Sequence, residues 1–306
     1  MKRKIAYFIN PISGTKSKES IIKMIEEQSV AKEIGFRILE TRADGNYDFL
    51  PALIVQEGFT DIVICGGDGS VNQVTSYLLQ SDVKIGIIPM GSGNGLALAA
   101  GITTHSRKAL EIIFNDNAAY IDAFYINNHF SCMLCGLGFD AKVAHDFAKQ
   151  KKRGVSMYVK QTIKNFLSAI PYPFVIKLND LEIKEEAFFI SIANSNQFGN
   201  QVTIAPLASL SDGFLDIVIV KKMSKLRLLY AICLQIKMGQ ITNIEKKFRQ
   251  KDIFYFQTKQ LLIENPNEAP LHIDGDPATT ARNFNIRVVE KAFKLLQPSL
   301  ITQKKV

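Results

Sequence analysis

Three short stretches, "NPISG" at Asn10–Gly14, "GGDGS" at Gly66–Ser70 and "MGSGN" at Met90–Asn94, hold the residues whose types and spacing point to chemistry. Glycine has no Cβ, so successive backbone N–H groups can face one concavity, and a helix starting directly behind adds its dipole. Such loops suit phosphate groups. Asp68 sits among them. A carboxylate beside bound phosphate repels it unless a proton or a divalent cation lies between, which points to Mg²⁺; capping of the following helix is the other use of an aspartate there. The loops match neither the GxxxxGK[ST] phosphate loop nor the GxGxxG dinucleotide fingerprint. A second pair of carboxylates, Asp274 and Asp276, lies in "HIDGDP". A positioned carboxylate can take the proton from an alcohol nucleophile, but Asp, Gly and Pro are also what an ordinary turn is made of.

The elements that must position these loops are legible as alternation. "KIAYFIN", "FRILET", "DIVICGG" and "KIGIIPM" read as strands, and "KESIIKMIEE", "SVNQVTSYLLQ" and "NGLALAAG" as helices or helix starts. This pattern predicts an α/β fold in which a parallel sheet is covered by helices, with binding at the carboxyl ends of the strands, where all three loops fall. Beyond Asp122 the texture changes to "IDAFYIN", "HFSCMLCG", "FVIKL", "AFFISIAN", "FLDIVIV", "IFYFQT" and "LLIEN", a second, β-rich domain. Two helices are expected within it, over 154–170 and 224–238. The predicted domains are therefore residues 1–122 and 123–283, with the segment of about 284–306 available to return to the first.

With 306 residues, 47% apolar and 22% charged, the chain fits a globular protein of two domains. Neither a secretory leader nor an apolar run long enough to cross a membrane is evident, so a cytoplasmic protein is expected. The four cysteines, at 65, 132, 135 and 233, form no disulfide framework, and the "CMLC" pair lies in an apolar run that reads as core. The net charge of +8 is local: Lys221–Lys251 holds nine Lys and Arg against one acid, Glu245, and "KQKKR" at Lys149–Arg153 adds to it. Such a run is either a solvated face or a surface attracted to anions. No module for nucleic acid is present in the pattern, and none is expected as partner.

Seven motifs in order, "NPISG", "GGDGS", "PMGSGNGLA", "IDA" at Ile121, "CGLGFDA" at Cys135, "SDGFLDIVIV" at Ser211 and "HIDGDP" at His272, resemble the family of lipid kinases built on the diacylglycerol kinase catalytic domain, sphingosine kinases among them. The resemblance implies a nucleotide-binding α/β domain, a sandwich-like lipid-binding domain and an active site in the cleft between the two. It implies that ATP binds along Asn10, Ser13, Gly14, Gly66, Gly67, Asp68, Gly69, Ser70, Gly91, Ser92 and Asn94, with Asp122 and Asp276 nearby. Asp274 would be the general base that activates the lipid hydroxyl, a role some sphingosine kinases are held to give to the residue matching Asp68. Asp212, with Ser209 and Phe214, would hold a structural Mg²⁺.

The chain departs from the family at four positions. Gln73 stands where many bacterial members have an acid, Gly95 where diacylglycerol kinases often have Asp, Lys142 where sphingosine kinases carry an acid, and Asp276 where the motif usually has Glu. The acceptor lipid therefore stays open. A kinase acting on a bilayer lipid without a membrane helix must dock transiently, and Lys221–Lys251, with "LRLLYAICLQI" inside it, is the candidate for contact with an anionic membrane surface; a helix packed on the second domain is the alternative. Dimers occur in the family, so a homodimer is compatible with it. Two other classes share features with the sequence: kinases with a "GGDG" loop, such as NAD kinase or phosphofructokinase, and a non-enzymatic lipid-binding protein on the same fold.

Overall fold

A computed structural model describes residues 2–14, 17–150, 161–162, 164–165, 168–178, 181–197, 204–227 and 252–299. The cluster at 151–153, the first half of the helix expected over 154–170, Cys233 and all of 228–251 lie outside the described residues. The chain forms two compact units, Met1–Ile121 with Lys291–Val306, and Asp122–Glu290.

The first unit alternates as the sequence predicts: β1 (Lys4–Ile9), α1 (Lys18–Ala31), β2 (Gly35–Glu40), α2 (Leu50–Glu57), β3 (Asp61–Gly66), α3 (Asp68–Ser76), β4 (Lys84–Pro89), α4 (Gly95–Ala99) and α5 (Ser106–Phe114). The strands are parallel in the order β4-β3-β1-β2. All six residues of β3 are buried, as befits a central strand covered on both faces, whereas β2 at the edge alternates and keeps charged residues in water. Ile21 and Ile25 of α1, and Leu110 and Ile113 of α5, join Ile5, Tyr7, Val63 and Ile88 in the core. At the amino end of this sheet Asp61 is fully buried and held by Arg3, whose Nε and Nη2 donate to it at 3.0 and 2.9 Å. Arg3 also donates to the carbonyls of Ile113 and Phe114 at the end of α5, a favourable place for a cation.

The second unit holds β5 (Ala118–Ile126, entering from the first), β6 (His129–Ser131), β7 (Leu134–Gly138), α6 (Phe139–Ala148), β8 (Tyr172–Leu178), β9 (Leu181–Ala193), β10 (Leu215–Lys221), β11 (Ile253–Thr258), β12 (Gln260–Glu264), β13 (Leu271–Ile273), β14 (Asp276–Ala278) and most of β15 (Asn283–Leu296). β9 is the hub, antiparallel to β7, β8 and β10. Its apolar face packs Ile190 and Ile192 with Leu137, Ile217, Leu271 and Ile286. The closing strand is longer than "FNIRVV" suggests. Its first half pairs with β12 at Asn283–Arg287, and Lys294 and Leu295 pair in parallel with β4 of the first unit.

Candidate functional site

In the first unit the carboxyl ends of β1, β3 and β4 are level, and their ladders continue one residue further through Asn10 N–H to Cys65 O (2.9 Å) and Met90 N–H to Gly66 O (2.8 Å). The three loops therefore start side by side, and glycine lets them touch. A Cβ on Gly91 would lie 2.5 Å from Gly67 Cα, and one on Gly14, which has φ of +66°, would lie 2.3 Å from Met90 O. Side chains lock the same geometry. Asn10 Nδ2 donates to Ser70 Oγ (2.8 Å), while its Oδ1 accepts from Ile12 N (3.0 Å). Asn94, in the left-handed region at φ of +54°, closes its own loop by accepting from Gly91 N (2.8 Å) and donating to Gly91 O (2.7 Å).

α3 starts at Asp68 with Gly67 as its cap residue, and no side chain caps it. Asp68 thus does not cap the helix that follows. Its Oδ1 instead accepts from Leu96 N at 3.4 Å, in the first turn of α4, so this carboxylate spans two loops. The first turn of α3, at Asp68, Gly69 and Ser70, follows directly on the β3 loop with no capping side chain, so an anion at this helix end would meet its amide donors and the helix dipole.

The remaining predicted residues lie in the second unit. Asp122 is buried; its N–H donates to Leu210 O (2.6 Å) and its Oδ2 accepts from Gly213 N (2.8 Å), so it orders the turn at 210–213. In that turn Asp212 Oδ1 accepts from Phe214 N (3.1 Å), and Ser209 Oγ accepts from Ser211 N (3.4 Å). Asp274 is no plain turn residue. It is 7% exposed with φ of +49°, and its Oδ1 accepts from Ser131 Oγ (2.6 Å), Met133 N (3.1 Å) and Leu134 N (3.0 Å). Its Oδ2 has longer contacts, to Cys132 N at 3.3 Å and Sγ at 3.7 Å. Asp276 is exposed at the start of β14.

Sequence reasoning missed the segment Ser131–Leu134 as a partner of Asp274, and Asn194, whose Nδ2 donates to Asp122 O (2.7 Å) and Cys132 O (3.3 Å). Asn194 thereby ties two predicted site regions together, and its place directly after the buried strand "AFFISIA" was the available signal. Cys132 and Cys135 are core residues as expected, burial pushing the Cys135 thiol well above its ordinary pKa.

Comparison with known proteins places this geometry. The model of the diacylglycerol kinase catalytic domain matches residues 4–126, and that of the YegS C-terminal NAD kinase beta sandwich-like domain matches residues 134–297. The chain belongs to the diacylglycerol kinase family of lipid kinases. A relative named "Probable lipid kinase YegS-like" from Shewanella frigidimarina is 28% identical over 244 residues, 78% of this chain and 76% of its own. The "Diacylglycerol kinase" of Staphylococcus carnosus is 23% identical over 283 residues, 90% of this chain and 89% of its own. The fold is also that of a diacylglycerol kinase crystal structure from Bacillus anthracis str. Sterne, with a TM-score of 0.73 at 19% identity over 97% of both chains. Within this diacylglycerol kinase family member the described helices offer no span long and apolar enough to cross a membrane.

Proposed function

We propose that the protein transfers the γ-phosphate of ATP to the hydroxyl of a lipid, diacylglycerol or a related lipid. The observation that carries this reading is the contact between the β3 and β4 loops at Gly67 and Gly91, which packs two glycine backbones where any side chain would intrude. Backbone amides of these loops and of the first turn of α3 hold the phosphates, and Asn10 and Ser70 fix the loop edges through their mutual hydrogen bond. The match to the diacylglycerol kinase catalytic domain and the relatives named as lipid kinases favour a lipid acceptor over the NAD kinase and phosphofructokinase alternatives.

The residues fit a divalent cation in kind. Asp68 presents a carboxylate amid phosphate-binding amides, and Asp212 does so in a tight turn where Phe214 has only its main-chain oxygen to give. Among the described residues no three His, Cys, Asp or Glu side chains form a ready metal cluster, so Mg²⁺ would be held by single carboxylates together with main-chain and phosphate oxygens. When bound, Mg²⁺ supplies neutralisation of the charge that develops on the phosphoryl group. Asp274 takes the proton of the lipid hydroxyl at Oδ2, the oxygen with the longer contacts, while the Ser131–Leu134 segment fixes Oδ1. Transient contact with an anionic membrane surface through Lys221–Lys251 belongs to the same proposal.

The test is incubation with labelled ATP and Mg²⁺ against diacylglycerol, monoacylglycerol, sphingoid bases, NAD and fructose 6-phosphate. Phosphate is expected on a lipid; phosphate on NAD or the sugar, or on nothing, overturns the proposal. Asp274→Asn should abolish turnover, with thermal unfolding followed in parallel because the same carboxylate anchors four residues.

A further inference from the structure

The motif "GLGFDA" and the histidine of "HIDGDP" have no part in the chemistry above, yet the fold brings them together. On β13, β7 and β9, His272 lies opposite Gly136 and Gly136 opposite Ser191, so the three positions share one face of the sheet. α6 packs on β7 and β13, and brings Asp140 over the same spot. A Cβ at residue 136 would lie 2.0 Å from Asp140 Oδ2 and 2.4 Å from His272 Nε2, so only glycine leaves room for these two polar atoms to meet. His272 is wholly buried and Asp140 is 6% exposed, with 3.4 Å between Nε2 and Oδ2, close enough for electrostatic attraction but without hydrogen-bond geometry between the two atoms. The other oxygen of Asp140 accepts from Ala141 N at 2.8 Å, which orients the carboxylate. Ser191, across Gly136 from the histidine, has a buried hydroxyl with no hydrogen-bond partner among the described residues, so buried polar groups gather here within an apolar unit.

The far side of the imidazole fixes its protonation. Gly275 N lies 3.3 Å from His272 Nδ1. An amide N–H can only donate, so Nδ1 must carry a lone pair and the proton of the neutral ring sits on Nε2, facing Asp140. Gly275 has φ of +88° and stands between Asp274, at φ of +49°, and Asp276. We infer that Asp140 and His272 form a buried positioning pair: the negative charge of the carboxylate beside Nε2 favours the Nε2–H form of the ring, whose Nδ1 then holds the turn that presents Asp274 and Asp276. This gives Gly136 and Asp140 a role in a stretch that holds none of the predicted ligand residues. The same logic governs metal-binding histidines, whose second nitrogen is oriented by a carboxylate.

The kinetic half of the test rests on the lipid-kinase reading; the spectroscopic half does not. Full-length protein labelled with ¹⁵N-histidine shows four histidines, and His272→Asn identifies the signal of interest by its loss. Long-range ¹H–¹⁵N correlation at mildly alkaline pH should show that ring with its proton on Nε2, and Asp140→Asn, which keeps the volume, should move the Nε2 resonance. A proton on Nδ1, or an Nε2 resonance indifferent to residue 140, overturns the pair. In turnover of the lipid found above, His272→Gln, whose amide reaches the Nε2 position but not Nδ1, should lower kcat on the order of 10²-fold with KM for ATP unchanged. His272→Asn, whose amide oxygen reaches the Nδ1 position, should fall less. Equal loss in both variants, or none in His272→Gln, refutes the positioning role. If the wild type phosphorylates no lipid, the kinase reading fails and the ring's tautomer alone decides the pair.

Discussion

Substitution of Gly91 by alanine tests the phosphate cradle most directly. The added Cβ would lie 2.5 Å from Gly67 Cα and 3.0 Å from Asn94 Oδ1, and the first of these is backbone that no rotamer change can withdraw. Ordinary contact begins near 3.4 Å, so the β3 and β4 loops must part by roughly 1 Å. Overpacking of this kind costs about 1–3 kcal/mol of stability. A displacement of about 1 Å at groups that position a reacting phosphate lowers turnover by on the order of 10²-fold. Gly35→Ala is the control: its Cβ would meet nothing closer than 3.5 Å, at an edge strand outside the loops. Isothermal titration with magnesium ATP and urea unfolding, run on wild type and both variants, give the two readouts. Gly91→Ala should be less stable and bind nucleotide at least ten times more weakly, and Gly35→Ala should match wild type in binding. Unchanged stability in Gly91→Ala would refute the packing argument, and weakened stability with wild-type binding would show that phosphate does not sit between these loops.

Two further outcomes follow from buried charge. Arg3→Met leaves Asp61 fully buried with Lys84 at 3.6 Å as its remaining cation, and strips the end of α5 of its donor. A loss of about 3 kcal/mol is expected in urea unfolding, and a loss under about 0.5 kcal/mol would show that Lys84 suffices. Asp216 is buried and its pKa is raised, chiefly by burial and in smaller part by repulsion from Asp212, against the hydrogen bonds from Tyr255 and Gln257. A carboxyl raised in the folded state contributes stability that is present below its unfolded value, about 3.9, and is lost as pH rises through the folded value. Wild type should therefore lose stability relative to Asp216→Asn as pH rises above about 4. A gap between their urea midpoints that does not change with pH would contradict this.

The strands of the first unit and its three loops are legible in the sequence because a buried parallel strand is a continuous apolar run and glycines end it abruptly. α2, α5 and α6 were not anticipated. They are short, of eight to ten residues, and in "FDAKVAHDFA" the apolar positions satisfy helix and strand periods alike. The setting of Asp274 is invisible for another reason. Its partner Ser131 is 143 residues away, and three further donors to it are backbone N–H groups of "CML", whose side chains say only that they are core. A sequence displays side chains, and this carboxylate is held in large part by main chain. Asp140 and His272 escaped for both reasons together, being distant in sequence and joined over a residue with no side chain at all.

The closing strand has a consequence for how the chain is made. Phe293, Leu295 and Leu296 are buried in the first unit, and Lys294 reaches Asp82 across 212 residues of sequence. As the polypeptide leaves the ribosome, its opening third meets these apolar partners last, after every strand of the other unit has been synthesised. The edge of β4 waits uncovered until then, and contacts so remote along the chain are slow to form. Folding of the first unit's sheet is thus tied to synthesis of the closing strand, and a nascent chain stalled before Lys291 would present that edge to whatever chaperone or neighbour arrives first.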